Sequence, residues 1–281
     1  MKRSTVCLAT ALICMSMYTC VAQGGVIAIP PPGPARVANA DAVLVGKVES
    51  IEPQDVKVGL TTYRIAIVRI NDGVRGVKKE KTLRVGFTPI VEPKNDGKGP
   101  FVITSGARPV QLDVGQEGLF ILTKHAKENF YTIGGVIGYY LNSDKNKDFE
   151  KEVLAAKAAV KVMEDLQGSL KSKDADERLL AAAILIDRAR TYRGPNSKQE
   201  PIDAAESKQI MQVLADADWQ TGYNFGSLRP IPGQLFQRLN VTAKEGFTPP
   251  PGGDYQAAAR TWVRDNAQTY RIQRFVAADA K

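Results

Sequence analysis

Side chains able to carry covalent or acid–base chemistry are scarce in this sequence. Its three cysteines, Cys7, Cys14 and Cys20, all fall in the first twenty residues, and His125 is the one histidine. Zinc–thiolate sites and thiol nucleophiles would need cysteines outside a removable leader. A Ser-His-Asp hydrolase would need a Gly-x-Ser-x-Gly elbow, which the chain lacks. His125, among Lys124, Lys127 and Glu128, reads as an exposed turn residue. Asp144-Lys145-Asn146-Lys147-Asp148 opens like a calcium loop, but the positions that need Gly and Glu hold Phe149 and Ala155. It reads as a polar turn before a helix. Gly134-Gly135-Val136-Ile137-Gly138 lacks the lysine and hydroxyl of a phosphate-binding loop and reads as bends in a strand. The neighbouring acids Glu164-Asp165 and Asp216/Asp218 sit at helix ends or on polar faces, with no sign of the burial that raises a catalytic pKa.

Two stretches are better suited to binding. Pro89 to Asp113 is rich in Gly, Pro and Lys, long for a connection inside a compact domain, and carries Lys94, Lys98 and Arg108. Further on, Trp219, Tyr223 and Phe225, with Phe236 and Phe247, precede Pro249-Pro250-Pro251. Aromatics in such a region pin it to a core or line a carbohydrate or peptide groove. The speculative binding set is therefore Lys94, Lys98, Arg108, Trp219, Tyr223 and Phe225, with no catalytic residue, metal ligand or cofactor assigned.

The charge excludes little. The chain has 38 Lys and Arg against 30 Asp and Glu, a net of +8 spread over both halves. A nucleic-acid surface would show a basic stripe with interleaved aromatics, and the densest basic run, Lys78-Lys79-Glu80-Lys81, is a short turn between strands. Lys2 and Arg3, the apolar run Val6–Met17 and the small residues around Cys20-Val21-Ala22 read as a signal peptide over residues 1–22. The two rivals are acylation at Cys20, against a poor match at Met17-Tyr18-Thr19, and a retained N-terminal anchor, against an apolar run shorter than a membrane core requires. The mature chain is expected to be exported, periplasmic, surface-bound or extracellular, without a transmembrane segment.

Residues 23–35, ending in Ile29-Pro30-Pro31-Pro32-Gly33-Pro34, read as an extended Pro-rich spacer. Strands follow over Ala42–Ile51 with a bend at Gly46, Thr61–Ile70, Thr82–Phe87, Gly118–Thr123 and Phe130–Ile133, the last two as a hairpin across His125–Asn129. Asn71-Asp72-Gly73 and Arg75-Gly76 are turn signals. Five short strands and a long excursion predict a small, closed or nearly closed antiparallel barrel over residues 36–145.

Asp41-Ala42-Val43-Leu44-Val45-Gly46-Lys47-Val48, the strand Tyr63–Val68 and Val114-Gly115-Gln116-Glu117-Gly118-Leu119-Phe120-Ile121-Leu122 are similar to the opening and late strands of netrin/TIMP-like OB modules. That resemblance implies an OB-like barrel in a secreted protein. The inhibitors of that superfamily hold a protease zinc through an N-terminal cysteine, which the mature chain lacks. A protease-inhibitor role follows from fold analogy alone.

After the polar run Asn142–Asp148 the period changes from two to 3.6. Phe149, Val153, Ala156, Val160 and Met163 predict a helix over Asp148–Leu166 ended by Gly168, and Asp174 with Glu177 forms a capping-box pattern before the all-apolar Leu179–Ile186. Gly194-Pro195 would stop that helix, Pro201 would start a third, and Asp254 would cap a fourth carrying Trp262 and Tyr270. Such helix pairs resemble HEAT-like repeats, but no fixed period recurs. The expectation is an α+β chain: a small antiparallel OB-like β-barrel, then a helical bundle domain over residues 146–281. Its expected role is a non-enzymatic binding or structural module for a protein or polysaccharide at the cell surface. A secreted hydrolase using paired carboxylates is the alternative.

Protein recovered from its native host should begin between residues 20 and 30 and carry no lipid. N-terminal sequencing with intact mass checks this, and a full-length anchored form would contradict it.

Overall fold

Ala42-Val43-Leu44-Val45 and Leu119-Phe120-Ile121-Leu122 are apolar at every position, the pattern of strands buried on both faces. In the computed structural model, which describes residues 30–77, 79–88, 110–133, 138–144, 146–194, 196–219, 226–249 and 251–277, these runs pair directly. Val43 lies opposite Ile121 and Val45 opposite Leu119. The chain runs through α1 (Gly33–Asn39), β1 (Ala42–Ile51), β2 (Val56–Val58), β3 (Thr61–Arg75), β4 (Thr82–Phe87), β5 (Glu117–Lys124), β6 (Tyr131–Ile133) and β7 (Tyr139–Leu141). It continues with α2 (Phe149–Glu164), α3 (Leu166–Leu170), α4 (Ala175–Arg190), β8 (Lys198–Pro201), α5 (Ala204–Asp216), α6 (Pro232–Leu239), α7 (Tyr255–Asn266) and β9 (Gln273–Val276). The protein is α+β.

β1 pairs with both β3 and β5, β3 with β4, β4 with β6, and β6 with β5, so the pairings return to the first strand. β2 attaches to β3 and β7 to β5, giving a seven-stranded sheet. The sheet is mixed, because β4 and β6 run parallel. This corrects the expected all-antiparallel arrangement, and the reason is topological. A circuit of five strands cannot alternate direction throughout, so one pair must run the same way.

Gly46 is a bend, as its sequence suggests. The β1–β3 register shifts there, and a Cβ at Gly46 would stand 2.6 Å from the Arg69 carbonyl oxygen. Asn71-Asp72-Gly73 is not a turn, however. It prolongs β3 along β1, with Asp72 opposite Val45 and Gly73 opposite Leu44. The chain reverses only at Gly76, whose φ of +74° favours glycine.

Side chains alternate between two cores. Leu44, Val68, Val85, Phe120 and Leu122 pack together on one face of the strands. Val43, Leu119 and Ile121 point the other way and join a core that includes Phe149 and Val153 of α2 and Ile184 of α4. α4 touches α1, α2, α3, α5, α6 and β9, in keeping with the unbroken apolar run Leu179–Ile186. No helix among the described residues is long and apolar enough to cross a membrane.

Several local expectations change. Gly33 and Pro34 belong to α1 rather than to an extended spacer, because the first N–H groups of a helix have no partner to lose. The break after α2 is at Asp165, whose carboxylate accepts the Gly168 N–H at 2.8 Å, and Gly168 lies inside α3. Asp174 caps α4 through the N–H groups of Asp176 and Glu177. Glu177 does not close a capping box, since its carboxylate accepts from Ser169 and Ser172 instead. α4 ends at Arg190, ahead of Gly194, and Pro201 lies in β8 while Asp203 caps α5. The leader, residues 23–29 of the expected spacer and residues 89–109 of the long connection lie outside the described residues.

Ile184 has 0% exposure in the core shared by strands and helices. An aspartate there costs several kcal/mol, comparable to the stability of a whole domain. Ile184→Asp is expected to abolish the cooperative melting transition in far-UV circular dichroism, for β and helix signals alike. Leu60→Asp, at the fully exposed turn before β3, is expected to leave it in place.

Candidate functional site

A groove of about 790 Å³ opens between α2, the start of α4, the end of α5 and residues 227–232. Leu154, Ala155 and Ala158 bring one face of α2 to it, at the three- and four-residue spacings that align side chains on a helix. Leu179 of α4 and Val213 of α5 add apolar surface, and Ile231 and Pro232 close the far wall. Leu154 is 65% exposed, unusual for a leucine beside a core helix.

The wall at Ser227–Pro232 is held by groups distant in sequence. Glu152 of α2, 7% exposed, accepts the Leu228 N–H at 2.6 Å. Arg36 of α1 donates to the carbonyls of Gly226 and Ser227 at 3.0 and 2.6 Å, and the Tyr140 hydroxyl of β7 also donates to the Gly226 carbonyl. Gly33 presses its backbone against Leu228 so closely that a side chain there would collide with main-chain atoms. Burial pushes the Tyr140 phenol up to about 12, with Arg36 opposing and Glu152 adding to the effect. Burial likewise raises the neighbouring Tyr139 phenol. On the α5 side, the Trp219 indole N–H donates to the Leu214 carbonyl at 2.8 Å and fixes the chain as it leaves the helix.

The charges around the groove are mostly engaged. Lys151 pairs with Asp148 at 2.7 Å, and Arg178 donates to the carbonyls of Ser172 and Lys173. Asp216 accepts from Gln212 at 2.9 Å. Asp176 and Arg229 line the groove and form no ion pair among the described residues. The two buried carboxylates among the described residues are both structural. Glu152 holds the wall. Asp187, 1% exposed, accepts from Asn39 of α1 at 3.0 Å and lies 2.9 Å from the Arg238 guanidinium of α6, an ionic contact without the alignment of a hydrogen bond. Neither lines the groove. Among the described residues no group of three or more His, Cys, Asp and Glu side chains could hold a metal ion.

Of the six binding residues picked from the sequence, Trp219 alone is described, and it is buried at 5% exposure with its ring edge-on to Phe236. Lys94, Lys98, Arg108, Tyr223 and Phe225 lie outside the described residues. Phe236 also meets Phe247, Tyr255 and Trp262 edge-on, so the described aromatics of this region form an interior network. His125 is half-buried rather than exposed. Its ring stacks on Phe130 at 4.8 Å, and its Nδ1 accepts the N–H groups of Lys127 and Glu128 at 3.2 and 3.1 Å.

Sequence reasoning overlooked Glu152, Tyr140 and Arg36. Glu152 had a readable signal, a charge set between Phe149 and Val153 on the apolar face of α2. Nothing local marks Arg36 or Tyr140, whose partners lie more than 80 residues away. No family model matches the chain, and no curated protein matches it.

Tyr140→Phe removes one of the donors to the Gly226 carbonyl and should cost about 1 kcal/mol at pH 8. The folded phenol titrates above its unfolded value of ~10, so its stabilisation is complete below pH ~10 and disappears as pH rises to about 12. The melting-temperature advantage of wild type over Tyr140→Phe should therefore shrink above pH ~10 and reverse before about pH 12, because ionising the buried phenol costs more than the ~1 kcal/mol hydrogen bond supplies. A wild-type advantage that grows there would contradict the assignment.

Proposed function

We propose that this chain is an exported, non-enzymatic binding module in which an OB-like barrel precedes a helical domain, and that a segment of another protein seats in the groove between α2, α4 and α5. The OB-like reading draws on the resemblance to netrin/TIMP-like modules and on the five-strand circuit that returns to β1. Export rests on the leader pattern of the first 22 residues.

The observation that carries the binding reading is Leu154, 65% exposed on a helix whose other apolar residues are largely covered. Around it the groove offers aliphatic side chains and, among its described lining residues, no aromatic. Sugar recognition relies on aromatic platforms, whereas aliphatic side chains of a peptide match this lining. The polar wall at Gly226–Leu228 is already satisfied from within, so apolar contact and the rim charges Asp176 and Arg229 remain to select a ligand.

Selection from a random peptide library on the full mature protein tests the proposal. Enriched peptides should lose about thirtyfold in affinity for Leu154→Asp, the equivalent of about 2 kcal/mol for one buried leucine contact. Equal binding to that variant, or hydrolysis of a glycan panel by the wild type, would overturn it.

A further inference from the structure

A second cleft, of about 550 Å³, lies between α4, α5 and β9 and shares no lining residue with the groove. Leu185, Ile210 and Val276 give it apolar surface. Its charges are one-sided: Arg188, Arg193 and Arg274 against the single acid Glu206. Glu206 already accepts from Gln167 at 2.8 Å. Arg274 is 3.7 Å from Glu200, a loose and exposed pair. Arg188 and Arg193 have no ion-pair partner among the described residues. The neighbouring framework is fixed. Arg190, largely buried, donates to the Gln273 carbonyl at 3.0 Å and lies 4.8 Å over the Phe275 ring, and Tyr192 meets that ring edge-on while remaining 61% exposed.

We propose that this cleft docks a short acidic segment of a partner protein. The segment's carboxylates would meet the forks of Arg188 and Arg193 while its aliphatic side chains cover Leu185 and Val276. The charge pattern selects the sign, since arginine binds carboxylate bidentately and sheds its hydration more easily than lysine. The apolar floor selects a peptide over an anionic polysaccharide, which satisfies the arginines but leaves the floor wet. No residue of the first groove takes part, so this inference stands or falls apart from the preceding proposal.

The probe is a labelled peptide of alternating aspartate and leucine, read by fluorescence anisotropy on the full mature protein, beside a lysine–leucine counterpart and an aspartate-only peptide. The aspartate–leucine peptide should bind and weaken as salt rises from ~50 to ~300 mM, because exposed charges are screened over the Debye length. The other two should bind at least about tenfold more weakly. R188E/R193E should cost about tenfold or more with an unchanged melting temperature, both side chains being exposed. If that variant misfolds, Arg188→Gln with Arg193→Gln reads the same loss. Val276→Asp should weaken binding independently of the arginines. Equal binding of all three peptides, full affinity in the arginine variants, or tighter binding of a sulfated polysaccharide than of the aspartate–leucine peptide would overturn the proposal.

Discussion

Burial of β1 and β5 on both faces is the constraint on which the rest of the architecture depends. One set of side chains, Leu44, Phe120 and Leu122, packs inside the strand circuit, and the alternate set, Val43, Leu119 and Ile121, forms the surface on which helices pack. Each such side chain contributes about 1.5–3 kcal/mol by leaving water, so a polar residue on either face would be expensive. Ala156 and Ala159 of α2, both 0% exposed, keep that helix close to its neighbours, and α4 packs in turn against α2. Arg75 at the end of β3 ties the strands to α1 by donating to the carbonyls of Val37 and Ala38, both at 2.6 Å. A cation at the C-terminal end of a helix satisfies carbonyls that have no partner within it.

What was legible in the sequence followed from local period. β1 was legible as a β-branched apolar run bent at Gly46 and β4 as an alternating one, and α4 and α7 start after the aspartates that cap them. The parallel β4–β6 pair was not legible, because it arises from closing a five-strand circuit and no single strand carries its signature. α6 escaped notice because its eight residues, Pro-Gly-Gln-Leu-Phe-Gln-Arg-Leu, begin with two poor helix formers and are stabilised by burial of Leu235, Phe236 and Leu239 against the rest of the core. The same holds for the candidate groove. Its α2 face could be read from helical spacing, but its far wall depends on contacts such as Arg36 to Ser227, which span 191 positions.

The buried charges explain why Trp219 and Glu152 exchanged the roles that residue type alone would suggest. A tryptophan ahead of a proline-rich stretch resembles a binding platform, yet its indole N–H finds the Leu214 carbonyl and its ring finds Phe236. A glutamate on an amphipathic helix resembles surface, yet Glu152 is buried because the Leu228 N–H needs an acceptor. Losing one member of such a pair strands the other without water, which costs more than the pair contributes when intact. Glu152 is thereby committed to holding Leu228 against α2, and Asp187 to tying α4 to α1 and α6.

That commitment bears on how the groove would recognise a ligand. A cleft between separately folded elements normally loses affinity to the ordering of its own walls. Here the α2 face is fixed by the strand core beneath it. The opposite wall is fixed by Arg36, Tyr140, Glu152 and the close approach of Gly33. Leu154 is the exception, since it projects from a rigid helix into solvent and has little to reorganise on being covered. Burying it against a partner gains the full transfer term with little offsetting loss of backbone freedom. Under the proposed binding role, a preorganised wall facing one exposed aliphatic side chain would favour a ligand that brings its own apolar anchor, and the charges of Asp176 and Arg229 would set its direction.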